Sequence, residues 1–171
     1  MASNQPVSDA CIAELRKALA DAHEKIIHCL NQLNDEQFNW RPFESQNSLA
    51  NLLLHLCGNV RQWIIAGVDQ LPDTRHRPSE FSDRGHHTKA ELMARLAQTV
   101  AEADATMSRV TGDTILQPRR IQSFQTTVLG AIVHCVTHFV GHSQEIINIT
   151  RFKLRDKYRF KFVPQTKEQG A

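Results

Sequence analysis

Apolar residues recur at alternating three- and four-residue steps through four stretches of the chain, which predicts four amphipathic helices. The first, Ser8 to Leu33, carries Ile12, Leu15, Leu19, Ala22, Ile26, Leu30 and Leu33 on one stripe, with Ser8 placed to cap it. Asn34-Asp35 begins a break that Trp40-Arg41-Pro42 confirms, since proline disfavours a helical residue before it. The second, Ser48 to Gly67, carries Leu49, Leu52, Leu53, Leu56, Val60, Trp63 and Ile64, and Gly67 suits its exit. The third opens on a capping box, Thr88-x-x-Glu91, and runs through Leu92, Leu96, Val100, Ala103, Met107 and Val110 to Gly112. The fourth, Val128 to Arg151, carries Val128, Leu129, Ile132, Val133, Val136, Phe139, Val140, Ile146 and Ile147. The pattern predicts an all-α chain whose stripes face one shared core.

Between the second and third helices lies an unusually long connection, Val68 to His87, with Pro72 and Pro78. Loops beyond about 12–15 residues inside compact domains are more often functional or disordered than incidental. Arg75-His76-Arg77-Pro78-Ser79-Glu80-Phe81 mixes charges of both signs with an aromatic anchor, so part of this loop is expected to pack. Asp113 to Gln122, with Pro118-Arg119-Arg120, is expected to be irregular. From Lys153 a basic tail follows, in which Lys157 to Val163 alternates basic with aromatic or apolar residues. It is expected to lie extended on the helices.

At 171 residues the chain fits one domain, 1–171, with a single core. Apolar (41%) and charged (22%) fractions are those of an ordinary soluble protein. A net charge of +2, with one short basic–aromatic tail, is too little to predict nucleic-acid binding. Neither a secretory signal pattern nor a membrane-length apolar run is present in the sequence, so membrane association is not expected. Cys11, Cys29, Cys57 and Cys135 lack any C-x-x-C pair, and read as reduced thiols of a cytoplasmic protein.

The chemistry gathers in the fourth helix, at His138-Phe139-Val140-Gly141-His142. Histidines four residues apart point their rings to one side of a helix, the spacing at which one rigid element offers two imidazoles to an ion. The glutamate of the H-E-x-x-H zinc motif is missing. At about 100° per residue both rings sit beside the apolar arc and His134 lies furthest from it, which predicts a site on the flank or at an open end, with His134 outside the ligand set. A lone H-x-x-x-H reads more readily as an exposed polar face. His55 changes that balance, because it falls at the margin of a leucine-rich stripe, where an unpartnered polar ring is costly.

With His55 from a separate helix, His138 and His142 make three imidazole ligands for a divalent ion, leaving positions for water or substrate as catalytic sites do. Zinc, nickel and iron all suit imidazole. Asn59, Gln144 and Glu145 are candidates to hold the other ring nitrogens, and Gly58 and Gly141 suggest close helix approach or ligand space. No residue is marked convincingly as general acid or base; Glu80 and Glu145 are the candidates.

Asn47 to Asn59, together with His138-Phe139-Val140-Gly141-His142-Ser143-Gln144, resembles the DinB/YfiT-like superfamily of metalloenzymes. Trp40-Arg41-Pro42 and the Arg75-to-Phe81 stretch resemble one uncharacterised branch of it. The resemblance runs from the first helix to about Ile149, and implies a four-helix bundle in that superfamily's mirror variant of up-and-down topology, often dimeric. It implies His55, His138 and His142 as metal ligands. By that likeness the expected function is a metal-dependent enzyme, either a transferase that uses a low-molecular-weight thiol or a hydrolase, acting on a small molecule. The alternative is a non-catalytic, metal-binding homodimeric helical module. Where relatives end the motif H-x-G-Q-I, this chain has His142-Ser143-Gln144-Glu145-Ile146, so glycine and glutamine are displaced and no role transfers to Gln144.

Overall fold

The computed structural model describes residues 5–163 and 165, and is mostly helical with one antiparallel hairpin. Helix α1 (Gln5–Leu30) buries Ile12, Leu19, Ala22, Ile26, Cys29 and Leu30 along the expected stripe. It stops short of Leu33, although Leu33 is still buried in the core. Asn34 and Gln37 form a reciprocal capping box, with each side chain accepting the other's backbone N–H at 2.8 and 3.0 Å. They open a short helix, α2 (Asp35–Asn39), which buries Phe38 where the sequence predicts only a break.

Helix α3 (Leu49–Val60) is capped by Ser48 and Asn51, each accepting the other's backbone N–H. The helical path runs on through a π-helical segment, Arg61–Ala66, into α4 (Gly67–Asp69), and ends at Gln70 in the left-handed region. Gly67 is therefore not the exit. It lies inside the helical run with φ −69°, and a Cβ there would meet the Ile121 side chain at 2.4 Å, so its role is to admit the hairpin. The long connection carries α5 (Arg77–Ser82), and Glu80 on it is buried.

Helix α6 (Lys89–Met107) begins at Thr88, whose hydroxyl accepts the Glu91 N–H. It ends before Gly112, although Val110 still packs in the core. Strands β1 (Pro118–Ile121) and β2 (Phe124–Thr127) pair antiparallel, Ile121 opposite Phe124, around a turn in which Gln122 has φ 54°. The sequence offers no Asn-Gly or Asp-Gly turn and only four residues per strand, so β1 falls within the expected irregular stretch, Asp113 to Gln122, and β2 lies beyond it with no expectation of its own. Thr127 then caps α7 (Val128–Leu154).

Helix α1 packs against α6 and α7, and α3 packs against the same two, with Leu52, Leu53, Leu56, Ile64, Leu96, Ile132, Phe139 and Ile146 in the shared core. The tail runs back along α1. Arg159 N–H donates to Gln32 Oε1 at 2.7 Å, its carbonyl lies 2.7 Å from His28 Nε2, and Lys161 pairs with Glu24. Residue 164 and residues 166–171 of that tail lie outside the described residues. Among the described residues no helix is long and apolar enough to cross a membrane. The four cysteines are free thiols, Cys11 exposed and the others buried.

Candidate metal centre

The α3–α7 contact brings His55 to His138 and His142. Each ring offers a nitrogen to a group whose members all lie within 4.8 Å of one another. His55 Nε2 and His138 Nε2 are 2.9 Å apart. Two imidazole nitrogens on one ion at about 2.1 Å would be separated by about 3.0–3.4 Å, so this pair stands at the spacing of neighbouring ligands. The rings meet edge to face, with interplanar angles of 75°, 79° and 85°. His55 is buried, while His138 and His142 are half-buried, so the cluster sits on the flank of the helices rather than at their centre. His134 is outside it. Its ring is 3.9 Å from the Trp63 ring and lies parallel to His138 with centroids 6.1 Å apart.

Carboxylates stand behind two of the three rings. Glu80 Oε2 lies 2.9 Å from His55 Nδ1, and Glu145 Oε2 lies 2.7 Å from His142 Nδ1. A carboxylate accepts, so each Nδ1 carries the proton and each Nε2 presents a lone pair, the tautomer that a ligating imidazole needs. Arg75 Nη2 is also 3.1 Å from His55 Nδ1, but both are then donors. They share Glu80 Oε2, to which Arg75 Nη2 donates at 2.8 Å, and the third distance follows from that sharing. Phe81 covers His55 at 4.8 Å between ring centroids, with the Arg77 guanidinium 4.7 Å above Phe81.

Electrostatics favour the neutral form of His138 and His55. Burial, with the neighbouring His142, His55, His134 and Arg75 charges, lowers the His138 pKa to about 4. Burial likewise lowers that of His55, against the opposing pull of Glu80. Burial alone would raise Glu80, but hydrogen bonds from Arg75 and His55 outweigh it and hold the carboxylate below its ordinary range. The hydrogen bond to His142 lowers Glu145. Imidazoles backed by carboxylates are the donor chemistry of a divalent transition metal, and the three histidines could hold one. Cys135 cannot join them, because complete burial drives its thiol far above the range in which a thiolate forms.

The protein without metal is expected to lose stability between about pH 6.5 and about pH 4. Unfolded histidine binds its proton near pH 6.5, whereas folded His138 does so only near 4. The unfolded state therefore binds more protons across that interval and gains at the expense of the fold; above it the histidine contribution is complete. Melting temperatures measured with chelator present at pH 7, 5.5 and 4.5 check this. A Tm unchanged between 7 and 5.5 would contradict it.

Several expectations change. Asn59 accepts from the Cys135 thiol at 3.3 Å and not from a ligand ring. Gln144 faces the tail beside Lys25, Ile147 and Phe160. Glu145 does hold a ligand ring, so of the three candidates only it serves that role. Glu80 accepts from Arg75 and His55 at once, which fits an orienting group and leaves it poorly placed as a general base. Gly58 has its close approach, since a Cβ there would meet Glu80 Oε1 at 2.0 Å. At Gly141 nothing described lies within 4 Å of a Cβ, so it makes room for no neighbour. Arg75 was missed, and its only sequence signal is the charged, aromatic-anchored stretch in a long loop.

A cavity of 470 Å³ lies beyond the Arg75–Glu80 pair, between α3, the 71–76 loop and α6, and His55, His138 and His142 do not line it.

A family model described as a protein of unknown function, DUF1572, matches residues 6–167. No curated protein matches the sequence. Among solved structures, the crystal structure of a conserved protein from Enterococcus faecalis superposes with a TM-score of 0.69 at 18% identity, over 81% of this chain and 94% of that one. At that identity the likeness speaks for the fold alone.

Proposed function

The chain belongs to the DUF1572 family of proteins of unknown function, and from that premise we propose that it is a metal-dependent enzyme whose divalent ion is held by His55, His138 and His142. The observation that carries this reading is three imidazoles gathered from two helices, two of them backed by carboxylates. Support for the wider assignment, a DinB-like four-helix bundle of the mirror up-and-down variant, comes from the shared α1, α3, α6 and α7 packing and from the motif around His55 and His142.

A zinc, nickel or iron ion here would supply Lewis acidity toward water or a small thiol. The protein's part is to hold the rings. Glu80 and Glu145 fix the tautomers of His55 and His142, and Phe81 closes one side of His55. The half-buried rings of His138 and His142 leave the remaining side open to a small molecule. An open side of this kind suits a transferase using a low-molecular-weight thiol, or a hydrolase; the cytoplasmic homodimer that completes the proposal rests on the family resemblance and the reduced cysteines of the sequence.

Elemental analysis of protein expressed without an affinity tag tests the reading, with close to one transition-metal ion per chain expected. Protein that carries none and takes up no Zn2+ in titration overturns it. Azide or a small thiol should then alter the visible spectrum of the Co2+-substituted protein. An ion that binds but is closed to both would instead mark a non-catalytic module.

A further inference from the structure

The geometry points to Arg75 as the positioning residue of this site: it acts through Glu80 to fix the tautomer and orientation of His55. The inference rests on the metal-site reading for its purpose, but its geometry stands apart from any ion. Arg75 donates from Nε to Glu80 Oε1 at 2.7 Å and from Nη2 to Glu80 Oε2 at 2.8 Å, a two-pronged grip that sets the carboxylate plane. Oε2 is the oxygen that faces His55 Nδ1 at 2.9 Å. The other side of the guanidinium is held in turn, Nη1 donating to Gln62 Oε1 at 2.8 Å.

Gln62 is itself fixed. Its Nε2 donates to Asp73 Oδ2 at 2.6 Å, and its Oε1 also accepts from Gln122 Nε2 at 2.7 Å. Because arginine only donates and aspartate only accepts, the Gln62 amide has one orientation that satisfies both. Gln62 sits in the π-helical segment, a local irregularity that recurs at functional sites. Gln122 is the positive-φ residue of the hairpin turn. A continuous chain of hydrogen bonds thus runs from the hairpin, through Gln62, Arg75 and Glu80, to His55.

Stability alone does not account for this arrangement. The Arg75 and Glu80 side chains are 4% and 10% exposed, and a buried ion pair is weak evidence for stability because desolvation offsets its attraction. α3 also carries a glycine at position 58, where any Cβ would clash with Glu80 Oε1 and Arg75 Nε. The helix that bears His55 is thereby left open at the place where the pair must enter.

The test uses the full chain, 15N-labelled, with the His55 tautomer read by long-range 1H–15N correlation in chelator-treated protein and Zn2+ affinity read by competition titration. Wild type is expected to show His55 protonated at Nδ1. Arg75→Lys keeps the charge but not the fork, and should shift that signature toward Nε2–H while weakening Zn2+ binding about 10–100-fold, the range for outer partners of ligands. Arg61→Lys, at an arginine paired with Glu102 instead, should leave both readings unchanged. An Arg75→Lys protein with the wild-type tautomer and affinity overturns the assignment, as does Nε2–H in wild type, a result that needs no variant to fold. Wild-type protein that binds no Zn2+ but keeps the Nδ1–H tautomer, lost in Arg75→Lys, would sink the metal reading while leaving the positioning role intact.

Discussion

Alanine at His138 is expected to weaken Zn2+ binding by more than about 100-fold, beyond the range seen when only an outer partner of a ligand is removed. The two remaining imidazoles come from separate helices, and the Nε2 2.9 Å from His55 Nε2 would be gone. The fold should tolerate the change. His138 sits outside the apolar arc of α7 and is half-buried, and in the metal-free state its ring carries a desolvation penalty that alanine lacks. His134→Ala is the matched control, one turn away on the same helix with its ring tilted against Trp63, and should leave affinity unchanged. Competition against a chelator measures both. Equal affinities for the His138 and His134 variants would remove His138 from the ligand set.

Removing the Glu80 carboxylate has the largest effect expected on stability. Glu80→Ala leaves the Arg75 guanidinium buried with the Gln62 amide oxygen as its acceptor, and breaking a buried pair on one side typically costs about 3–5 kcal/mol. Replacing both members by apolar residues of similar size avoids the stranded charge. The double substitution Arg75→Met with Glu80→Leu should therefore regain most of the stability while metal affinity stays low, because His55 still lacks its acceptor. Urea unfolding separates the outcomes. A loss below about 1 kcal/mol in Glu80→Ala would mean that the pair is solvated and orients nothing.

How far these elements can be read from the chain differs from one to the next. The stripes of α1, α3, α6 and α7 are periodic over many turns, so the burial of Leu19, Leu52, Leu96 and Phe139 follows from spacing alone. Helix ends are less legible. Leu33 and Val110 stay buried beyond the last helical residue, because core packing continues where backbone hydrogen bonding stops. Gly67 looks like a terminator and is a notch for Ile121, a contact with a residue more than fifty positions away that no local pattern carries.

The sequence by itself determined the helical class and the pairing of His138 with His142, since both depend only on steps of three and four residues along one element. It also marked His55 as a ring in an apolar run that required a partner. Only the tertiary structure decided what that partner is. Glu80 and Arg75 reach His55 from a loop whose own sequence is compatible with simple solvation, because their geometry depends on how α5 docks over Gly58 and on a glutamine held from the hairpin. Periodicity reports which face of a helix turns inward; which polar atoms meet there depends on contacts between distant segments, fixed only when the whole chain packs.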